Sequence, residues 1–250
     1  MYRELLIFAF VNIYKNIVQA KKENKKLLAV LIDPEKIKIN TISAFFEKVH
    51  QSITTHIFVG GSTDIHNQTE KVVSAIKQVT HLPVLLFPGD VSQITNKADG
   101  ILFLSLLSGR NPEYLIEQQI KAVPVLKNTD LEIISTGYLL IDGAKETATQ
   151  KVSNTKPISQ NNQELILHTA LAGELLGQKL MYLEAGSGAK IPVETVIITT
   201  VKNNVTIPLI VGGGIRSKHQ LENAFSAGAD LVVIGTAFEN DARFFEQLKK

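Results

Sequence analysis

Two glycine-rich turns late in the chain are the first places where residue type and spacing suggest chemistry: VGGGIRS, Val211 to Ser217, and VIGTAFE, Val233 to Glu239. Each closes a run of branched aliphatic residues and leads into a segment with helical patterning. Glycine lets backbone N–H groups approach an anion closely, and the start of the following helix adds partial positive charge, so the pair reads as a phosphate site. The competing reading is that the glycines serve only tight strand-to-helix turns. Two such turns in succession weigh against it more than one would.

Upstream, YLEAGSGAK, Tyr182 to Lys190, places Glu184 at the end of another apolar run and Ser187 in a glycine-flanked turn. An acid there suits a general base or hydroxyl acceptor, with Tyr182 positioning a polyol and Ser187 donating to phosphate. The alternative is a structural glutamate paired with a lysine. Earlier still, LIDPEK ends in Asp33 before a turn-forcing proline, and VGGSTD carries Ser62 in a similar position. One carboxylate, one hydroxyl and ligand phosphate oxygens suit magnesium, which takes oxygen donors and keeps several from water or substrate. Asp before Pro is also an ordinary turn and Ser62 a possible helix cap, so both readings stand on chemistry alone.

The elements that must position these residues alternate between short branched or aromatic runs and longer amphipathic segments, the pattern of βα units around a parallel sheet. Strands are expected at residues 26–33, 56–62, 82–89, 100–107, 132–141, 179–185, 208–213 and 231–235. Eight is the number of a (β/α)8 TIM barrel, whose active site lies at the carboxyl ends of its strands. All the residues singled out close a strand. Between the strands, Val72, Val73, Ile76 and Val79 share one helical face, Asn111-Pro112-Glu113 has the form of a helix start, and Ser217 caps a helix holding Leu221, Ala224 and Phe225.

Three places depart from a regular barrel. An N-terminal extra helix is expected from Leu5, Leu6, Ala9, Ile13 and Ile17, which fall at helical spacing and lack a signal-peptide cleavage pattern. The third crossover, Asp90 to Asp99, is too short for a full helix and predicts an irregular strap. The stretch from Gly143 to Asn162 is long and polar and follows strand five, so it would lie over the mouth as a lid, or be a disordered insertion. The segment Leu165 to Leu176 is apolar nearly all round, which suits a buried helix first and a subunit contact or groove wall second.

Composition bounds the function. The 250 residues and 44% hydrophobic fraction suit one barrel domain over residues 1–250, and no composition break marks a second. With 26 basic and 24 acidic side chains the formal charge is +2, which gives no electrostatic case for nucleic acid or an anionic membrane. There is no cysteine, hence no disulfide, thiolate metal site or cysteine nucleophile, and a cytoplasmic address is expected. No stretch reads as a transmembrane segment. His50, His56, His66, His81, His168 and His219 form no close helical pair of the zinc-site kind and are taken as surface or packing residues.

In chain order, LIDPEK, VGGSTD, LLFPGDVSQI, ADGILFLSLLSGRNP, YLEAGSGAK, VGGGIRS and VIGTAFE resemble the geranylgeranylglyceryl phosphate synthases and the related heptaprenylglyceryl phosphate synthases. The match spans nearly the whole barrel, and FPGD followed by ADGILFLSLL and YLEAGSG is specific in combination. The resemblance implies a prenyltransferase of ether-lipid biosynthesis that moves a polyprenyl group, geranylgeranyl before longer ones, from its diphosphate to the sn-3 hydroxyl of sn-glycerol 1-phosphate. It makes Asp33 and Ser62 ligands of Mg2+ holding the diphosphate. Tyr182, Leu183, Glu184, Ala185, Gly186, Ser187 and Gly188 become the segment embracing glycerol phosphate, and Gly213 with Gly214 and Gly235 with Thr236 its phosphate cradle. Thr236 departs from relatives with asparagine after the glycine but keeps a polar side chain. The resemblance also implies a homo-oligomer.

On that reading Glu184 and Tyr182 are the catalytic pair, Glu184 taking the hydroxyl proton as the oxygen attacks the allylic carbon. The prenyl chain needs an apolar groove, for which Leu85, Leu86, Phe87, Leu104, Leu106 and Leu107 are candidates. Strand alternation sends half of them elsewhere. The rivals are another phosphate-binding barrel isomerase or synthase, and a non-catalytic barrel that binds a phosphometabolite.

Overall fold

The runs expected to be strands are aliphatic at nearly every position, as strands covered on both faces must be. In the computed structural model, which describes residues 12–61, 68–235, 238 and 244–249, all eight form. They are β1 Leu27–Ile32, β2 His56–Val59, β3 Val84–Leu86, β4 Gly100–Leu106, β5 Glu132–Leu140, β6 Leu180–Glu184, β7 Leu209–Gly212 and β8 Leu231–Ile234. Each pairs in parallel with its successor, and β8 pairs back on β1 to close the barrel.

Alternation along the strands sorts side chains into two layers. Leu27, Ala29, Phe58, Leu85, Leu102, Ile134, Leu180 and Ile210 fill the bore. Leu28, Val30, Ile57, Leu86, Ile101 and Leu183 face outward into the layer beneath the helices. The same division sorts the groove candidates by face. Leu85, Phe87, Leu104 and Leu106 belong to the bore side, whereas Leu86 and Leu107 pack outward.

The helices follow their apolar stripes: α1 Ile13–Lys22, α2 Ile42–Gln51, α3 Thr69–Val79, α4 Gln118–Leu126, α5 Ala148–Ser153, α6 Gln163–Leu175, α7 Thr195–Lys202 and α8 Lys218–Ser226, with a last short helix at Phe244–Gln247. In α3 Val72, Val73 and Ile76 are buried, with Val79 packed beside them. Ser217 accepts from the Gln220 N–H at the start of α8. Asn111 accepts from Glu113 N–H at 3.1 Å, but the first turn, Glu113–Glu117, is wound as a π-turn before α4 begins.

Helix α1 closes the amino-terminal end of the barrel: Ile13, Ile17 and Ala20 join the bore cluster. Two devices satisfy its first N–H groups. Asn12 accepts from Lys15 N–H at 2.8 Å, and the carboxylate of Glu132, which opens β5, accepts from Ile13 and Tyr14. Leu5, Leu6 and Ala9 lie outside the described residues.

The other departures each shape the site. The third crossover holds only a 3-10 turn, Val91–Gln93, capped by Asp90, and so leaves the barrel wall outside β4 without a full covering helix. The polar stretch after β5 contains α5, begun by a capping box between Thr147 and Gln150, and returns through an Ile141–Ile158 bridge. A disordered insertion was the alternative; sequence polarity reflects the exposed face of α5 instead. Helix α6 buries Ile166, Thr169, Ala170 and Gly173 yet leaves Leu175 88% exposed, so the expectation of a buried helix holds only for its inner face.

Candidate active site

One cavity of about 440 Å³ opens at the carboxyl ends of the strands and collects residues from nearly every strand end. Asp33, Glu184, Gly186, Ser187, Gly188, Gly213, Gly214 and Gly235 all line it. Ser62 and Thr236 lie outside the described residues.

The glycine turns interlock. Gly213 (φ +81°) and Gly214 (φ +72°) adopt the left-handed conformation that side chains resist. A Cβ on Gly213 would sit 2.4 Å from Glu184 Oε1 and 2.6 Å from the Gly186 nitrogen. The β7 turn therefore presses directly on the turn after β6. Arg216 ties the same two turns together, donating to the carbonyls of Gly188 (3.3 Å), Ala189 and Lys190 (3.5 Å). Among the described residues the amides of Gly188, Gly213, Gly214 and Gly235 donate to no protein acceptor, although all four residues line the cavity. Backbone donors left open around one cavity are of the kind that suits an anion.

Glu184 ends β6 with only 6% of its surface exposed, and its Oε1 accepts from Gly186 N–H at 2.7 Å. Burial pushes its carboxyl above the ordinary carboxylate range, while Tyr182 and the Gly186 amide pull it partly back. Tyr182 is fully buried on the bore face, beneath the cavity rather than on its wall. Its hydroxyl and Glu184 Oε2 converge under Gly212, where a Cβ would lie 2.6 Å from each. The hydroxyl stands close enough to the carboxylate to hold down its pKa, although the pair falls short of full hydrogen-bond geometry. Leu183 and Ala185, named with this turn, face outward into the layer under the helices and take no part in the cavity wall.

Asp33 follows β1. Its Oδ1 accepts from Glu35 N–H at 3.0 Å and its Oδ2 pairs with Lys36 at 2.8 Å. Gly61 leaves the carboxylate room: a Cβ there would come to 3.3 Å from Oδ1. Among the described residues no group of three or more His, Cys, Asp or Glu is placed to hold a metal. A single carboxylate of this kind fits a hard cation that draws most of its oxygens from a bound diphosphate and water.

From the mouth the cavity runs over the rim onto the outside of β4. Leu102, Leu104 and Leu106 line it from one face of the strand, and Ile101 and Phe103 from the other. The strap residues Val91 and Ile94, Tyr114 and Ala122 of the α4 region, and Val152 of α5 complete an apolar channel. Tyr114 donates to the Val152 carbonyl at 3.1 Å and Asn111 to that of Ser153 at 2.7 Å, binding α5 to the channel wall. Sequence reasoning named Phe87 only as a groove candidate, and missed Tyr138, Tyr114 and Arg216 altogether. Alternation through Thr136, Tyr138 and Leu140 was the available signal for Tyr138; Arg216 acts through a loop whose path no pattern reveals.

A closed parallel barrel whose strand ends carry a buried carboxylate and open glycine amides belongs to the class of phosphate-handling (β/α)8 enzymes. The PcrB family model matches residues 19–250, and the chain belongs to that family. It is 64% identical over 224 residues, 90% of this chain and 95% of the relative, to a geranylgeranylglyceryl phosphate synthase of Zunongwangia profunda. A relative of the same name from Flavobacterium johnsoniae is 57% identical, covering 94% of this chain and 96% of its own. Among solved structures, (S)-3-O-geranylgeranylglyceryl phosphate synthase from Thermoplasma acidophilum, crystallised with its substrate sn-glycerol-1-phosphate, superposes with a TM-score of 0.88. That pair is 35% identical over 94% of this chain and 95% of the other.

Proposed function

We propose that this protein is a geranylgeranylglyceryl phosphate synthase: a prenyltransferase that joins geranylgeranyl from its diphosphate to the sn-3 hydroxyl of sn-glycerol 1-phosphate, releasing diphosphate. The carrying observation is that one cavity unites an open-amide cradle, a buried carboxylate and an apolar channel leading away over β4. A barrel isomerase or synthase acting on a small phosphate needs the first two and not the third.

The chain's residues divide the work. The amides of Gly188, Gly213, Gly214 and Gly235 hold the acceptor phosphate, with Ser187 beside them. The acceptor hydroxyl then lies toward Glu184, whose carboxylate takes its proton as the oxygen attacks, while Tyr182, buried beneath the cavity, positions that carboxylate. The channel takes the prenyl chain and excludes water. Asp33, with Ser62 assigned by resemblance alone, would hold magnesium, which supplies charge neutralisation for the departing diphosphate. Holding both substrates head to head contributes much of the rate.

No helix among the described residues is long and apolar enough to cross a membrane. We read the protein as cytoplasmic, in keeping with the cysteine-free sequence. Exposed apolar side chains on α4, Ile120 and Val123, and at the end of α6, Leu175 and Leu176, support a homo-oligomer.

The test is a transfer assay with radiolabelled sn-glycerol 1-phosphate and prenyl diphosphates of increasing length. A lipid-extractable product, lost on chelation of magnesium and greatest with the twenty-carbon donor, is expected. Saturable phosphate binding with no product from any donor would return the site to its rivals.

A further inference from the structure

Three aromatic rings meet at the centre of the mouth, and the mechanism above uses only one hydroxyl among them. Phe87 stacks on Tyr182 with ring centroids 5.6 Å apart and planes at 29°; Tyr138 packs against both, at 6.0 Å from Phe87 and 5.4 Å edge-on from Tyr182. Tyr182 is fully buried, so it lies beneath Phe87. Phe87 is itself partly open and lines the cavity in which the substrates would be held.

The backbone that carries this ring is held firmly just past β3. Phe87 donates its N–H to Val59 at 2.8 Å, and Gly60 packs so tightly on the Phe87 carbonyl that a Cβ there would stand 1.9 Å from its oxygen. The next residue, Gly61, faces the Asp33 carboxylate. On the other side, the Tyr182 ring under Phe87 carries the hydroxyl that meets Glu184. Phe87 is thus linked through Gly60 and Gly61 to the carboxylate assigned to the diphosphate end, and through Tyr182 to the carboxylate assigned to the base.

We propose that Phe87 is a catalytic residue of the transfer, its ring face stabilising the positive charge that develops on the allylic carbons of the donor. This rests on the prenyltransferase reading. In the step, the bond from the first prenyl carbon to the diphosphate oxygen breaks and its electron pair leaves with the diphosphate. Charge spreads over the allylic unit, a lone pair of the acceptor hydroxyl oxygen forms the new C–O bond, and its proton passes to Glu184. The cavity-lining cations Lys36 and Arg216 would oppose that charge, and are respectively paired with Asp33 and bound to loop carbonyls. An aromatic face attracts a cation through its quadrupole and meets the uncharged allylic unit of the intact donor only by apolar contact. The gain falls in the transition state, so it raises turnover and leaves affinity alone.

The experiment replaces Phe87 by mono-, di- and trifluorophenylalanine, near-isosteres whose ring quadrupole weakens stepwise, and measures the single-turnover rate with geranylgeranyl diphosphate and sn-glycerol 1-phosphate. The rate should fall progressively, by about thirtyfold at the trifluorinated ring if the full desolvated cation–π interaction is lost. The Kd for each substrate should stay within about twofold and the Tm unchanged. The same series at Phe225, which packs in the outer layer, should leave the rate flat. Equal rates across the Phe87 series, even with a slow Phe87→Leu, would overturn the proposal and make the ring a spacer. Absence of transfer by the unmodified enzyme would overturn both the proposal and the reading beneath it.

Discussion

Glu184 is held in a conflict that makes its two roles separable. Burial raises its pKa, so its folded-state value stands above the unfolded one; its contribution favours folding fully below the unfolded pKa and is lost as pH rises through the folded pKa. Glu184→Gln should therefore melt higher than the unmodified protein at about pH 8, with the gap closing near pH 4, as thermal scans at both pH values will show. The same variant should lose about 10²- to 10⁴-fold in kcat, with acceptor KM moving much less. Unchanged kcat would take Glu184 out of the mechanism. The glycines make a second contrast. Gly213→Ala forces a Cβ against Glu184 and Gly186 at a positive φ, and should cost about 1–3 kcal/mol in denaturant titrations along with acceptor binding. Gly235→Ala meets nothing closer than 3.4 Å, so it should fold normally and weaken only the acceptor.

At the scale of elements, α1 depends on a residue far away in sequence. The Glu132 carboxylate accepts from the first two N–H groups of α1 and sits at its positive end, so Glu132→Ala should cost about 1–2 kcal/mol in thermal or denaturant unfolding. Turnover should hold, because α1 closes the opposite end of the barrel from the cavity. All eight strands were legible, because aliphatic runs bounded by Gly, Pro and Asp leave little else for those segments to do. Which leucines face the bore was not legible, since that parity depends on barrel register. The strap was foreseen from its length alone, but not its consequence that the channel wraps onto the outer face of β4. Helix α5 was hidden by polarity, its capping box being a local signal inside a segment with almost no apolar stripe.

Across the whole molecule, the site residues that close strands were readable because a barrel gathers strand ends at one face. Those that act through packing were not: Tyr138 reaches the mouth only by β5 alternation, and Arg216 through carbonyls of a neighbouring loop. Global stability has its own titrating group in His56, buried on β2 with its pKa lowered to about 4 by desolvation. Its folded pKa lies below the unfolded value, so the stability it permits is complete above about pH 6.5 and is lost as pH falls through about 4. The loss is on the order of 3 kcal/mol, and His56→Asn should show a shallower fall in Tm between about pH 7 and pH 4.5.

The central claim, that the cradle and Glu184 present one particular glycerol hydroxyl to an allylic donor, is tested most directly by acceptor stereochemistry. Competition between sn-glycerol 1-phosphate and sn-glycerol 3-phosphate, with geranylgeranyl diphosphate and magnesium present, should give ether-linked product from the 1-phosphate with kcat/KM at least about a hundredfold higher, because the wrong enantiomer turns its hydroxyl from Glu184. Equal use of the two enantiomers would contradict the account.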